Sequence, residues 1–347
     1  MKKLLSVFSV FFIVILFSVF GSGCKDSKPK GDVIKLSYSI FFPPTHGQCI
    51  AAVEWAKEIE KRTEGRVKID VFPGGTLTPA NECYDGVVKG VSDLGMSCFA
   101  YTRGKFPVME AVDLPLGYVS GRSATYSANE FYKKVNPDEL KNVKVLYLHA
   151  HGPGLLHTKT PVRKLEDLKG LKIRSTGLSA KVVELLGGTA VAMPQSSTYE
   201  ALQKGVVDGT FTPVESLKGW KQAEVVKYTT DCNGVGYTTA MFVVMNLDKW
   251  NALPDDIKEI FEKTNSEWIE VHASNWDTLD VEGMKYTKSL NNEVIKLSDA
   301  ENSRWVEKVN PVVNEYISTN EKNGLAVKKS VAELKEIVKK NNSKYAQ

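Results

Sequence analysis

The sequence predicts a two-domain α/β clamshell, and three observations predict it. Apolar, β-branched runs alternate with segments of helical periodicity, which favours helices layered on a largely parallel sheet. A unit is repeated: "YDGVVKGVSDLG" (84–95) and "YEALQKGVVDG" (199–209) place Tyr, Lys, Gly, Val and Asp at matching positions, and a "GGT" precedes each. The length, 347 residues, suits two domains better than one core.

The elements follow in order. "VIKLSYSI" (33–40) reads as a strand. "GQCIAAVEWAKEIEKRTEGR" (47–66) carries Ile50, Val53, Ala56 and Ile59 at helical spacing and stops at Gly65. "VKIDVFPGG" (67–75) is the next strand; the first repeat copy is a helix through Val88, followed by the strand "SDLGMSCF" (92–99). "VKVLYLHAHGPG" (143–154) is a strand entering a Gly-Pro loop, and "LKIRSTG" (171–177) is a short strand. The helix "LSAKVVELLGG" (178–188), the strand "TAVAMP" (189–194), the second copy as a helix and the strand "VVDGTFTP" (206–213) restate the earlier order. "GYTTAMFVVMNLDKW" (236–250) is an apolar strand long enough to pass from one domain to the other. A helix starts at Pro254 with Asp255 and Asp256 in its first turn, which suits the helix dipole. Ile257, Ile260, Phe261, Trp268, Val271 and Leu279 keep its periodicity, with a bend expected near Gly283. "SDAE" (298–301) is a capping-box signature ahead of a helix with Trp305, and "VAELKEIVKKNN" (331–342) is a terminal amphipathic helix.

In open α/β sheets, ligands bind outside the carboxyl ends of the strands. The two repeats therefore mark two cleft walls, "CFAY" (98–101) and "TFTP" (210–213).

Residues 1–23 read as a secretory signal. Lys2 and Lys3 precede an apolar run from Leu4 to Phe20, then "GSGC". The run is shorter than the roughly 20 residues a membrane span needs. Cys24 after small residues resembles a lipoprotein cleavage site, although Gly21 stands where an apolar residue is usual. Lipidation at Cys24 and a polar tether over 24–32 are expected, making the protein a membrane-tethered periplasmic lipoprotein. Export permits disulfides, but Cys49, Cys83, Cys98 and Cys232 show no CxxC, so bridges and buried thiols both stay open.

Composition is ordinary, with 42% hydrophobic and 25% charged residues and a net charge of +4. That balance, without a basic run interleaved with aromatics, argues against a nucleic-acid partner. There is no HExxH, GxSxG, GxxxxGK[ST] or GxGxxG, which shifts weight from catalysis to binding; no cofactor is expected. A hydrolase assembled in space stays a further class. His149 and His151, two apart at a strand end, make a metal pair conceivable, with His157 or His46 as a third ligand. This is the basis of an alternative reading, a metal or metal-complex binding protein of another importer. The six tryptophans, Trp55, Trp220, Trp250, Trp268, Trp276 and Trp305, all fall on or beside helices and mostly read as core.

Three blocks carry a family resemblance: "VFPGGTL" (71–77), "LKGLKIRSTG…LGGTAVAMPQSSTYEALQKGVVDG" (168–209) and "FVVMNLDKWNALPDDIKEIF" (242–261). Together they resemble the solute-binding proteins of TRAP (tripartite ATP-independent periplasmic) transporters, across the whole mature chain. The resemblance implies a periplasmic-binding-protein-like clamshell with crossing strands and a domain-spanning helix from Pro254 to about Met284. The expected division is 33–151 with 240–279, then 152–239 with 280–320, then a C-terminal helix over 321–347. It also implies a receptor, not an enzyme, that passes an organic acid anion to small and large membrane subunits. The Arg of the "KIR" strand, Arg174, is implied to pair with the ligand carboxylate, a role its planar donors suit. Two departures matter. Thr212 stands where many relatives have Asn, and "HAHGPGLLHT" (149–158) lacks the second Arg of sialate-binding relatives, leaving His151 as a possible donor. Both argue against a sialic acid or strongly polyanionic ligand. Phe41, Phe42, His46, Phe99, Tyr101, Phe211 and Tyr237 complete the candidate site, and with one Arg they suggest an aromatic or apolar monocarboxylate.

Overall fold

The computed structural model describes residues 33–346; the signal segment and Cys24 lie outside them. In chain order the regular elements are β1 (Ile34–Ile40), α1 (Gly47–Arg62), β2 (Val67–Phe72), α2 (Cys83–Val88), β3 (Leu94–Cys98), α3 (Gly121–Val135), β4 (Val143–Ala150), β5 (Gly154–Thr158), β6 (Lys172–Ser175), α4 (Leu178–Leu186) and β7 (Thr189–Ala192). They continue with α5 (Thr198–Gln203), β8 (Gly209–Pro213), α6 (Ser216–Gly219), β9 (Tyr228–Asp231), β10 (Ala240–Asn246), α7 (Leu247–Ala252), α8 (Asp255–Ser289), β11 (Glu293–Lys296), α9 (Asp299–Val309), α10 (Pro311–Lys322) and α11 (Val327–Tyr345).

Two sheets form the cores of two lobes. The first runs β2-β1-β3-β10-β4 and the second β11-β9-β5-β8-β6-β7. Their pairings correspond strand by strand. β1 is parallel to β2 and β3, as β6 is to β7 and β8; β10 is antiparallel to β3 and β4, as β5 is to β8 and β9. Each lobe's one reversed strand, β10 or β5, enters directly from the other lobe. The chain therefore crosses at 151–153 and 232–239, and again along α8.

The repeat seen in the sequence is this shared unit. α2 leads into β3 and α5 into β8, and Gly90 and Gly205 take the same left-handed turn, φ 74° and 73°. The "GGT" stretches are not equivalent. Gly74 and Gly75 lie in the loop after β2, whereas Gly187 caps α4 at φ 101° just before β7. All three take left-handed φ (69°, 70° and 101°), which glycine adopts without a Cβ clash, in a loop in one case and at a helix end in the other.

Helix α1 presents Ala52, Trp55, Ala56 and Ile59 to the first core. Ile50 is 46% exposed, so the expected apolar stripe is rotated away from it. Trp55 and Trp305 are fully buried. Ser298 caps α9 by accepting from the Glu301 N–H, but the Glu301 carboxylate accepts from Leu165 N and Trp305 Nε1 instead of closing the box.

α8 is one helix of 35 residues, about 50 Å long. Its buried face includes Thr264, Asn265 and His272 between Phe261 and Trp276, so polar groups replace part of the expected apolar stripe. Asn265 accepts from Trp55 Nε1 at 3.1 Å. Gly283 marks a close approach: a Cβ there would stand 2.3 Å from the Val214 carbonyl oxygen. α11 returns to pack on α3. Among the described residues, no helix is long and apolar enough to cross a membrane.

The four cysteines at 49, 83, 98 and 232 are buried free thiols. Burial pushes the Cys49 thiol up to about 11 and those of Cys83 and Cys232 to about 12, so none is poised as a thiolate.

Candidate functional site

The cavity lies where the carboxyl ends of β1, β3, β6, β7 and β8 converge. Phe41 and Phe42 follow β1, Tyr101 follows β3, Arg174 and Thr176 end β6, Gln195 follows β7, and Thr212 ends β8; all line it. His151 and Tyr237, from the two crossing segments, close the wall, and Trp276 of α8 lies across it.

Arg174 is 3% exposed. Its Nε and Nη2 both donate to the Met193 carbonyl, at 3.1 and 2.9 Å. That bond occupies the side edge of the guanidinium and fixes its plane. The Nη1/Nη2 end remains for a carboxylate, which can accept two parallel bonds from it.

The walls are aromatic. Phe41 meets Phe42 at 4.0 Å between ring centroids and Tyr101 edge-on at 5.5 Å, and lies parallel to Trp220 at 6.1 Å. Polar groups are few. Both amide atoms of the buried Gln195 side chain lack a protein partner. Thr212 Oγ1 and Ser216 Oγ are 3.1 Å apart, so the hydroxyl standing in place of Asn is engaged within its own turn. His151 Nδ1 donates to the Gly152 carbonyl, leaving Nε2 as an acceptor. Burial lowers His151 to about 4, so this ring is neutral at ordinary pH and offers the cavity no positive charge.

Contacts between the lobes enclose the cavity. The Gln195 N–H of the second lobe donates to Tyr101 Oη of the first at 3.2 Å, and the Thr176 hydroxyl reaches the Ala100 carbonyl at 3.4 Å. His46 Nε2 meets Glu215 Oε2 at 2.8 Å. Tyr101→Phe keeps the ring but leaves the Gln195 N–H unpaired on closure. We expect affinity to fall roughly fivefold, from about 1 kcal/mol, with unliganded stability nearly unchanged. Titration calorimetry beside a melting curve separates the two effects.

A profile of the family described as DctP, bacterial extracellular solute-binding protein family 7, matches residues 38–320. The chain belongs to that family. Solved structures of TRAP solute-binding proteins share its fold. One from Desulfovibrio salexigens is 35% identical, with a TM-score of 0.78 over 90% of this chain and 97% of its own. One from a marine metagenome, specific for aromatic acid ligands and complexed with 3-hydroxybenzoate, is 27% identical, with a TM-score of 0.86 over 90% and 100%. A third, from Bordetella bronchiseptica with bound mandelate, is 29% identical, with a TM-score of 0.81 over 88% and 99%. The two-lobed clamshell expected from the sequence is thus the architecture of this TRAP receptor.

Of the residues singled out from the sequence, Phe41, Phe42, Tyr101, His151, Arg174, Thr212 and Tyr237 come together in the receptor's cavity. Three do not line it. Phe99 turns away from the cavity and packs against Phe106 and Phe242, at 5.1 and 5.3 Å. Phe211 packs behind Tyr237 at 4.7 Å and accepts the Tyr237 hydroxyl on its carbonyl. His46 stands behind Glu215 as the N-cap of α1. Alternation along β8 explains Phe211, since its neighbour Thr212 faces the cavity; Phe99 opens the helical turn that follows β3, which directs it away from the cavity and Tyr101 into it. Conversely, Trp220 and Trp276, two of the six tryptophans that mostly read as core, line it, as do Gln195 and Glu215.

The histidines do not converge on a metal. His149 accepts from Trp276 Nε1 at 3.1 Å and stacks on His272 at 4.5 Å, while His151 faces the cavity. His157 is engaged by Thr229 and the Thr212 carbonyl. Among the described residues, no group of three His, Cys, Asp or Glu side chains could hold a metal ion.

Proposed function

We propose that the receptor captures an organic acid anion, an aromatic or apolar monocarboxylate, and delivers it from the periplasm to the membrane subunits of a TRAP transporter. The observation that carries this is Arg174, buried and clamped by the Met193 carbonyl at the end of an aromatic-walled cavity. A buried guanidinium needs an anion, and the surrounding rings favour an apolar body. The aromatic acids named for the marine and Bordetella proteins point the same way. Closure follows from the ligand's higher affinity for the enclosed form. No residue is given a catalytic role. Cys24 is the proposed lipid attachment point, with 24–32 as the tether.

A thermal-shift screen of carboxylic acids tests the reading. A ligand at a hundred times its Kd stabilises the folded state by about 2.7 kcal/mol, a readily measured rise in Tm. Benzoate, 3-hydroxybenzoate or mandelate should raise Tm. Flat melting curves with every carboxylate, or turnover of any of them, would overturn it.

A further inference from the structure

Among the described residues lining the cavity, Arg174 and Glu215 are the two with full charges. Glu215 is 2% exposed and lies in the turn between β8 and α6. Its charge state follows from its partners. His46 Nδ1 accepts the Gln48 N–H at 3.2 Å, so the ring carries its proton on Nε2 and donates it to Glu215 Oε2 at 2.8 Å. Ser216 Oγ donates to Glu215 Oε1 at 2.8 Å. Both oxygens are therefore acceptors, and the group is a carboxylate beside a neutral imidazole. The N–H of Glu215 donates to Asp280 at 2.8 Å, which holds the turn against α8. Burial shifts Asp280, which accepts that N–H, toward its neutral form.

We propose that Glu215 is a specificity-determining residue that selects a singly charged acid bearing a hydrogen-bond donor on its body and rejects dicarboxylates. This rests on the monocarboxylate reading above. With the ligand carboxylate on Arg174, the body meets walls whose acceptors include Glu215, His151 Nε2 and the unpartnered Gln195 amide oxygen. A hydroxyl or amino group there satisfies them. A second carboxylate would meet Glu215 as a like charge in a site closed to water, where repulsion is strong. His46 is a positioning residue: its donated proton fixes the Glu215 carboxylate, and the bond joins the two lobes.

The test compares benzoate, 3-hydroxybenzoate, 3-aminobenzoate and isophthalate, which share one ring and differ at one position. Affinities are measured by calorimetry on the wild type and on Glu215→Gln, with a melting curve of each unliganded protein. On the wild type, the hydroxy or amino acid should bind best and isophthalate roughly a hundredfold more weakly. The two donor-bearing acids distinguish a hydroxyl from an amino group as the preferred donor, and either preference supports the proposal. Glu215→Gln should narrow the isophthalate gap at least tenfold. Wild-type protein that binds benzoate but prefers isophthalate, or is indifferent to the substituent, overturns the role of Glu215 and leaves the carboxylate receptor intact. A folded variant whose four affinities shift equally does the same. Absence of binding by all four acids to the wild type, with another carboxylate also failing to stabilise it, overturns both. The wild-type comparison stands even if the variant does not fold.

Discussion

Arg174→Ala should weaken ligand binding by about 2–5 kcal/mol, thirtyfold to several thousandfold, as expected when one partner of a buried charge pair is removed. Unliganded stability should change much less. Arg174→Lys should recover only part of the affinity. A single ammonium cannot donate twice to the Met193 carbonyl and also present two parallel donors to a carboxylate. Calorimetry on the wild type and both variants, with one acid that stabilises the wild type, reads this directly. Wild-type affinity in the alanine variant would remove Arg174 as the anchor.

Arg174 was singled out through the family resemblance of the "KIR" strand, because the residues alone also fit a solvated strand-end Arg paired with a nearby acid. The strand's carboxyl end is where such sheets bind, and Arg174 lines the cavity there. The duplicated helix–strand unit was legible locally, since K-G at a helix end and the strand after it are set by backbone preferences. The correspondence of the two sheets needed pairing partners, and those are fixed at long range. The sequence shows no trace of β5 and β10 as equivalent strands, because one is "GLLHT" and the other "AMFVVMN".

Side-chain direction at strand ends was the weak point. Phe99 and Tyr101 are both aromatic and two apart, yet only Tyr101 lines the cavity, because the chain leaves β3 in a helical turn that breaks the alternation. Glu215 sits in "PVESLK" (213–218), where no local feature marks a buried carboxylate. Its burial comes from long-range neighbours, His46 at the start of α1 and the passing helix α8 at Asp280 and Gly283. Trp276 obeys the helical period of α8 and so looks like core; it is core on one side, against His149, and cavity wall on the other.

Gly283→Ala should destabilise the fold and weaken binding together, by a route that involves no cavity contact. Gly283 is buried in α8 where the helix passes the turn between β8 and α6. A Cβ there would lie 2.3 Å from the Val214 carbonyl oxygen and 3.1 Å from Glu215 Cα, against backbone that cannot rotate away. The helix must lift from the turn, or the turn must move. Overpacking of this kind costs about 1–3 kcal/mol. Separation also stretches the Glu215 N–H bond to Asp280, a hydrogen bond to a buried carboxyl worth about 1 kcal/mol or more. Alanine's better helix propensity returns at most about 1 kcal/mol. The net expectation is a lower Tm and an affinity reduced at least tenfold, because the same turn carries Thr212, Glu215 and Ser216 into the cavity wall. Ser303→Ala on α9, an exposed change remote from this contact, serves as the control and should leave both readouts near wild type. If Gly283→Ala lowers Tm but leaves affinity intact, the turn is rigid without α8, and the spanning helix holds the lobes together without shaping the site.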